Sequence, residues 1–340
     1  MNTLSFRLLF FFISLCFVFR MEAQLVYPLD NANTQIIWKL KPQSEVKGDS
    51  VGMLKPNYNT SNWVTAVVPG TAFNSYVVAG VEKDPNYSDN IYQVDRAKYD
   101  RSFWYRTEFR VPDDFTKDRI WLNFKGVNRR GKVYLNGNYL GLLDGFMDKG
   151  RFEISRLVNK TEKNVLAVLV SVPEPPMANY ASPTYVSSGG WDWMPYVPGL
   201  NSGITDKVFL TNTGTASIED PWIRTKLPTN ARADLMVSAA LRNTSSESSL
   251  IEFVGEIQPG NIQFSQKVTV EPNRVKEVKL DKNVFSQLTI NDPKLWWPNG
   301  YGDPNLYSCK LTLKVNGVVS DEKTIRFGVK QFSYDTDGGV

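Results

Sequence analysis

The chain has 340 residues, of which 42% are hydrophobic, 22% charged and 13% aromatic, so it has ample apolar material for a packed core and is not a disordered polypeptide. At roughly 150 residues per domain, this length predicts two domains. The sequence has no histidine and only two cysteines, which excludes His-based catalytic triads and ordinary zinc sites. Its formal net charge of +4 is too small to indicate a nucleic-acid partner.

The N-terminus has the pattern of a secretory signal peptide. Arg7 precedes an apolar block at 8–19, and Ala23 provides the small residue that precedes a cleavage site. The block is shorter than the roughly 20 residues of a membrane-spanning helix. We therefore expect cleavage after Ala23, export to the periplasm, the extracellular space or the cell surface, and no membrane span after cleavage. The alternative is an uncleaved N-terminal anchor, which Arg20 directly after the apolar block keeps open.

The first half of the mature chain is predicted to be β-structure. Short apolar runs bounded by Gly, Pro, Asn and Asp predict strands over 102–111, 119–124 and 131–135. Asn136-Gly137 predicts a tight hairpin, because both residues tolerate the positive φ of a type I′ turn. The continuous apolar run at 164–170 predicts a strand covered on both faces, near the centre of a sandwich.

The small residues at 211–215, which include no aromatic side chain, indicate a domain boundary. Beyond it, strands are predicted at 222–227, 233–241, 250–257, 262–270, 275–280, 306–315 and 323–329. Short strands at this spacing are typical of an immunoglobulin-like sandwich. Cys309 lies in one of them and is the only thiol left after signal cleavage, so we expect a buried thiol and no disulfide.

Five short motifs combine aromatic residues with Gly, Pro or Asn. In chain order they are Trp63 with Val68-Pro69-Gly70-Thr71, Asp84-Pro85-Asn86-Tyr87-Ser88-Asp89-Asn90, Phe124-Lys125-Gly126-Val127 with Val133-Tyr134-Leu135-Asn136-Gly137, Gly190-Trp191-Asp192-Trp193-Met194-Pro195, and Leu295-Trp296-Trp297-Pro298-Asn299-Gly300-Tyr301-Gly302. In this order they resemble the N-terminal half of glycoside hydrolase family 2, specifically its β-mannosidase and exo-β-glucosaminidase branch. One position departs from the family pattern, because Leu200 stands where the family commonly has Arg.

The resemblance implies an all-β fold of two sandwiches. Residues 24–213 would form a jelly-roll-like (galactose-binding-like) sugar-binding domain, residues 214–333 an immunoglobulin-like β-sandwich, and residues 334–340 the start of a linker to a catalytic barrel. Members of the family hydrolyse β-glycosides with retention, through two glutamates on that barrel. A barrel needs about 250 residues, and only twelve residues follow Gly328. We therefore expect that the chain lacks the barrel, holds no catalytic residue and is inactive alone.

The resemblance also implies contacts to the sugar. Asp192 is expected to accept hydrogen bonds from hydroxyl groups, with Trp193 and Trp191 behind it, because indole rings stack on sugar C–H groups. Asn90 is expected on another pocket-facing loop. From the residues alone, both tryptophans could pack at the sandwich edge, Asp192 could cap a turn and Asn90 could lie in a surface turn. A lone carboxylate is a weak basis for a cation site, so no metal and no cofactor is expected.

Other aromatic residues of these motifs are expected to pack in cores. Trp63, Trp104 and Tyr105 lie inside strand patterns. We interpret Trp296-Trp297-Pro298 as an aromatic corner rather than a second glycan site, because Pro298 and Gly300 make a turn that fixes the rings.

The expected function is that of the non-catalytic N-terminal part of an exported family 2 glycoside hydrolase that acts on terminal β-glycosides, either a β-mannoside or a β-glucosaminide. The chain would supply one wall of the sugar pocket and scaffold the barrel, so its partners would be a carbohydrate and that barrel. Two alternatives stay open. The chain could be a stand-alone exported carbohydrate-binding module, or a structural cell-surface module without affinity for sugars.

Overall fold

A computed structural model of the chain describes residues 25–46, 51–145, 148–172 and 198–333, which form two β-sandwiches. The described strands of the first sandwich are β1 (Val26–Pro28), β2 (Trp38–Pro42), β3 (Val64–Ala66), β4 (Gly70–Thr71), β5 (Phe103–Phe109), β6 (Arg119–Phe124), β7 (Arg130–Leu135), β8 (Asn138–Asp144), β9 (Gly150–Glu153), β10 (Asn164–Ser171), β11 (Gly203–Ile204) and β12 (Val208–Thr213). The described α-helices are α1 (Ala72–Val78) and α2 (Asn90–Gln93), and short 3-10 turns occur elsewhere.

The first sandwich packs a six-stranded sheet, in the order β3-β2-β5-β10-β7-β8, against a four-stranded sheet, β1-β12-β6-β9. β10 lies near the middle of the larger sheet and is buried on both faces. Val168 belongs to the main core between the sheets, whereas Leu169 packs on the other face with Trp63 and Trp104. The prediction of a doubly covered central strand is therefore confirmed, and so is the prediction that these two tryptophans pack in a core.

The predicted hairpin at Asn136-Gly137 is also confirmed. It joins β7 to β8, with Leu135 opposite Asn138, and φ is 49° at Asn136 and 85° at Gly137. Asparagine and glycine are the two residues that adopt this left-handed conformation most easily. The sequence therefore determines where the chain reverses at this edge of the sheet.

Helix α1 is not among the predicted elements. It begins after Thr71, whose Oγ1 accepts a hydrogen bond from the backbone N–H of Asn74 at 3.0 Å, as an N-cap does. Phe73 is buried on its inner face. A helix of seven residues makes only two turns, which is too short to give a clear 3.6-residue period in the sequence.

The second sandwich comes after Gly214. Its strands are β13 (Ala216–Thr229), β14 (Arg232–Asn243), β15 (Ser249–Gln258), β16 (Ile262–Val270), β17 (Val275–Asp281), β18 (Thr289–Asn291), β19 (Tyr307–Val315) and β20 (Val318–Phe327). One sheet has the order β13-β14-β17, with β18 also paired to β14, and the other has the order β16-β15-β19-β20. The predicted all-β class is confirmed, while the exact domain limits at 213/214 stay a prediction.

The predicted buried thiol of the second sandwich is confirmed. Cys309 lies in β19 with no exposed surface, and burial raises the pKa of its thiol to about 12. At the Trp296-Trp297-Pro298 corner, Trp296 lies against its own sandwich, because a Cβ atom at Gly328 would lie 2.7 Å from it. Trp297 is 43% exposed, so the interpretation of this corner as no second glycan site stays a prediction. The turn that follows the two tryptophans is closed by the Tyr301 N–H, which donates to the Pro298 carbonyl at 3.1 Å.

An ion-pair network joins the two sandwiches. Arg151 in β9 lies 2.5 Å from Oε1 of Glu219 in β13, and Arg242 in β14 donates to both carboxylate oxygens of Glu219 at 2.7 and 3.0 Å. The guanidinium of Arg151 also lies 3.7 Å from the ring centre of Trp121. Burial raises the pKa of Glu219, but the two arginines outweigh it and hold that pKa below its usual range.

In the described ranges, no helix is both long enough and apolar enough to cross a membrane. The predicted signal peptide at 1–23 lies outside those ranges, so its cleavage and the predicted export stay predictions.

Candidate functional site

Residues 198–204, called the return segment here, enter the first sandwich at one end and are fixed there by backbone pairing. Gly203 pairs with Thr71, and Ile204 with Gly70, so that β11 lies against β4. The N–H of Ala72, the first residue of α1, donates to the Ser202 carbonyl at 2.8 Å. A Cβ atom at Gly203 would lie 2.2 Å from the Gly70 carbonyl oxygen, so only glycine fits this close approach.

The side chains of Asn128, which is buried, and Asp100, which is half-buried, also bind the return segment. The Nδ2 group of Asn128 donates to the carbonyls of Leu200 and Asn201 at 3.1 and 2.9 Å, and Asp100 Oδ1 accepts the N–H of Gly199 at 2.9 Å. Asn128 is 1% exposed. Because buried backbone carbonyls need donors, Asn128 stabilises the left-handed conformation of Leu200 and Asn201, whose φ angles are 48° and 56°.

Tyr99 packs against helix α1 at the same end of the sandwich. Its ring packs edge-on against Phe73 and Tyr76 at 5.1 and 5.3 Å, and its hydroxyl donates to Oε1 of Glu82 at 2.7 Å. Burial raises the pKa of Tyr99, and the hydrogen bond to Glu82 raises it further. Tyr99 therefore stays protonated and acts as a fixed support for α1 rather than as an acid or base.

Asn90 is the predicted sugar contact that the structure describes. It is half-buried at the start of α2, and its Nδ2 donates to the Asp84 carbonyl at 2.9 Å. The adjacent Asp89 accepts a hydrogen bond from Gln93 at 3.1 Å, while Tyr87 and Tyr92 are 72% and 76% exposed. Asn90 thus closes the 84–90 loop, and its contact with sugar stays a prediction.

The other predicted contacts, Asp192, Trp193 and Trp191, lie outside the described residues. Later in the chain, the return segment begins at Pro198 and is tied to Asp100 and Asn128. Leu200, at the position where the resemblance implies an Arg, is 2% exposed and contributes its carbonyl to Asn128. A buried leucine at this position offers an apolar side chain in place of a cation.

Sequence reasoning missed Asn128 and Asp100 as supports of this region. Asn128 directly follows the Phe124-Lys125-Gly126-Val127 motif, but its side chain binds carbonyls 72 and 73 residues later in the chain. Spacing in a single sequence gives no signal for such a contact. The close Gly203 approach is similar, because Gly70 and Gly203 become neighbours only in the folded sheet.

The carboxyl groups with shifted pKa values in the described ranges have structural partners. Hydrogen bonds from Arg130 and Lys282 are the main reason that the pKa values of Asp144 and Asp234 are lowered. Burial raises the pKa of Asp321, whose oxygens accept backbone N–H groups at 2.8 and 2.9 Å. Nor do three or more Asp, Glu or Cys side chains meet as a possible metal site in this part of the chain.

Comparison with known families decides what kind of chain this is. Residues 38–206 match the model described as glycosyl hydrolase 2 galactose-binding domain-like, and residues 216–330 match the model described as glycosyl hydrolases family 2. The chain belongs to glycoside hydrolase family 2. The predicted resemblance is confirmed, and so is the predicted fold class of a galactose-binding-like sandwich followed by an immunoglobulin-like one.

Individual family 2 proteins extend the likeness. The chain is 27% identical to an exo-β-D-glucosaminidase of Streptomyces avermitilis, over 86% of this chain and 32% of that protein. It is 30% identical to a mannosylglycoprotein endo-β-mannosidase of Lilium longiflorum, over 86% of this chain and 33% of that protein. The crystal structure of an exo-chitosanase from Amycolatopsis orientalis superposes with a TM-score of 0.76 at 27% identity, over 90% of this chain and 34% of that one. The chain therefore spans about a third of the length of these relatives.

Proposed function

We propose that the chain is the non-catalytic N-terminal part of an exported family 2 glycoside hydrolase that acts on terminal β-glycosides, with a β-mannoside or a β-glucosaminide as substrate. In this proposal the first sandwich supplies one wall of the sugar pocket, and both sandwiches scaffold a catalytic barrel. The observation that carries it is the match of both domains, in order, to family 2 proteins of which the chain spans about a third.

The proposed sugar wall is the end of the first sandwich that holds the return segment. Asp192 would accept hydrogen bonds from the terminal sugar, Trp193 and Trp191 would stack on it, and Asn90 would contact it from the 84–90 loop. The rigidity of the return segment supports this proposal, because a binding side chain needs a fixed backbone nearby. The bonds from Asn128 to Leu200 and Asn201 provide that rigidity.

The size of the native product tests the proposal first. An antibody raised against residues 24–340 would capture the protein from its source for intact-mass analysis and N-terminal sequencing. We expect a species longer than this chain by at least the roughly 250 residues of a barrel, with Gln24 at its N-terminus. A native species that ends at Val340 would favour a stand-alone carbohydrate-binding or cell-surface module. An N-terminus at Met1 would favour an uncleaved N-terminal anchor over a cleaved signal peptide.

The chain alone should release no p-nitrophenol from p-nitrophenyl β-mannoside or β-glucosaminide, since the two glutamates of a retaining mechanism would lie on the barrel. The longer native species should release it from one of the two. Turnover by the chain alone that persists through further purification would contradict the proposal.

Substitution of Asp192 tests the sugar wall in the longer species. Asp192→Ala should lower kcat/KM by about 10- to 100-fold, because charged hydrogen bonds contribute about 1.5–3 kcal/mol. The control is Asp113→Ala, which removes an exposed carboxylate in the turn after β5 and should leave kcat/KM unchanged. Equal kcat/KM for wild type and Asp192→Ala would remove Asp192 from the proposed wall.

A further inference from the structure

A cavity of about 390 Å³ lies between the two sandwiches, on the side of the Arg151–Glu219–Arg242 network. Phe209 and Ile325 contribute its apolar lining, and Lys125, Lys310 and Lys323 contribute ammonium groups. A second cavity of about 530 Å³ continues from it and shares Lys125, Phe209 and Lys323. Its lining has five basic residues and three acidic ones, Asp148, Glu219 and Asp220. The continuous space is called the interdomain cleft here.

Part of the positive charge in the cleft is not neutralised by a salt bridge. Lys310 lies 2.8 Å from Glu322, and Arg151 lies 2.5 Å from Glu219. Among the salt bridges of the described residues, none uses Lys125 or Lys323. These two ammonium groups come from different sandwiches, so the cleft is where their fields add.

Both acidic and basic groups act on Lys323, which is partly buried in the cleft. Burial lowers the pKa of Lys323, Asp321 and Glu219 oppose that effect, and Arg151 and Lys125 lower the pKa further by repulsion. In the described part of the chain, Nη2 of Arg151 is buried and has no hydrogen-bond acceptor. An anion in the cleft would relieve the repulsion between these cations.

The lining also indicates the size and character of the ligand. A volume of about 390 Å³ falls in the range of roughly 300–1,000 Å³ that small-molecule sites occupy, and it exceeds what an inorganic ion needs. Phe209 offers an aromatic ring, with the Lys125 ammonium 5.7 Å from its centre. An aromatic ring beside cations suits a ligand that has both C–H faces and a negative group.

We propose that the interdomain cleft binds an acidic saccharide, a sugar that carries a carboxylate or a sulfate or phosphate ester. Lys125 and Lys323 supply charge for the anionic group, and Phe209 supplies an apolar face for the ring. This site is separate from the proposed sugar wall at the return segment. It requires neither a barrel nor Asp192, so its failure would leave the proposed function untouched.

Calorimetric titration of the full chain at pH 7 and constant ionic strength tests this site. The probes are glucuronate, glucose 6-phosphate, neutral glucose and inorganic phosphate. We expect both acidic sugars to bind and glucose not to bind. Lys125→Met and Lys323→Met should each weaken the binding about tenfold, because each removes one charged hydrogen-bond donor.

Two matched variants separate charge from fold. Lys279→Met removes an exposed lysine of β17 that does not line the cleft, and it should bind as wild type does. Lys125→Arg keeps the charge at the exposed rim and should retain most of the affinity. Melting temperatures of all variants verify that they fold, and if Lys323→Met fails to fold, Lys125→Met against Lys125→Arg decides.

Three results would overturn the proposal. One is glucose binding as tightly as glucuronate, and another is Lys125→Met binding both acidic sugars with the wild-type Kd. The third is inorganic phosphate binding as tightly as glucose 6-phosphate, which would make the cleft a site for an adventitious ion only. A preference for glucuronate over glucose 6-phosphate, or the reverse, would identify the anionic group within the proposed class.

Discussion

Asn128 shows how a single side chain can determine the shape of a loop. Its amide donates to two consecutive carbonyls, at Leu200 and Asn201, which both have positive φ angles. Without that donor, two carbonyls at a buried position would lose a partner in a conformation that non-glycine residues adopt with difficulty. The Asn128 side chain therefore offsets the cost of the unfavourable backbone conformation at Leu200 and Asn201.

Asn128→Ala should lower the free energy of unfolding by about 2 kcal/mol, the cost of leaving buried acceptors unpaired. Denaturant unfolding measures this, and amide hydrogen exchange should show faster exchange in 198–204. The control is Asn138→Ala, because Asn138 is exposed in the hairpin and makes only local bonds of 3.3 Å. A loss below about 0.5 kcal/mol for Asn128→Ala, or equal losses in both variants, would contradict this role.

In the second sandwich, a glycine on one strand makes room for a large side chain on the strand that pairs with it. Gly255 of β15 lies opposite Phe264 of β16, and a Cβ atom at Gly255 would come within 1.9 Å of the Phe264 ring. Phe264 is 3% exposed and also packs against Phe253 and Phe285. Gly255 thus provides the space into which an aromatic side chain of the neighbouring strand fits.

Gly255→Ala should destabilise the chain by about 1–3 kcal/mol, because Phe264 must leave its position in a packed core. Thermal unfolding provides the measurement. Adding Phe264→Leu should make the alanine better tolerated, so the double variant is expected to lose less than the sum of the two single changes. Strictly additive losses would show that the two residues do not compete for the same space.

The strands show which parts of the fold the sequence predicts. The run at 119–124 matches β6 residue for residue, and the hairpin at Asn136-Gly137 arises from turn chemistry. Helix α1 was missed because two turns give too little periodicity, and β18 because it has only three residues. Apolar runs of about six or more residues can be recognised as strands, whereas shorter elements depend on their neighbours in space.

The molecule as a whole depends on the contact between its two sandwiches. Glu219 binds Arg151 of the first sandwich and Arg242 of the second, and its side chain is 18% exposed. The cations of the interdomain cleft come from residues about 200 apart in the chain, such as Lys125 and Lys323. Neither the network nor the cleft could be predicted, since both exist only once the sandwiches have docked.

The Glu219 carboxylate should make this contact sensitive to acid. Its pKa is lowered in the folded chain, so its stabilising effect is complete above the unfolded value of about 4.3 and is lost as the pH falls through the folded value. Glu219→Gln should cost about 3 kcal/mol at pH 7, because it leaves two arginines without their carboxylate. The difference from wild type should shrink towards pH 3.

Unfolding curves between pH 3 and 7 provide the measurement, with Glu277→Gln as the control. Glu277 is 75% exposed and lies 3.7 Å from Lys279, so its substitution should change little at any pH. A Glu219→Gln deficit that stays constant from pH 7 to pH 3 would show that the charge is not the stabilising feature.

The pairing of β1 with β12 has a consequence for how the chain folds during its synthesis. Val26 lies opposite Thr211, so the first described strand has its partner about 185 residues later. At 5–20 residues per second a ribosome needs on the order of 10–40 s to cover that interval. Throughout it, the N-terminal strand can be held by a chaperone or a translocation channel without interrupting any finished sheet. The four-stranded sheet is closed only when residues 208–213 arrive, so the first sandwich cannot be completed before the last of its described strands has been made.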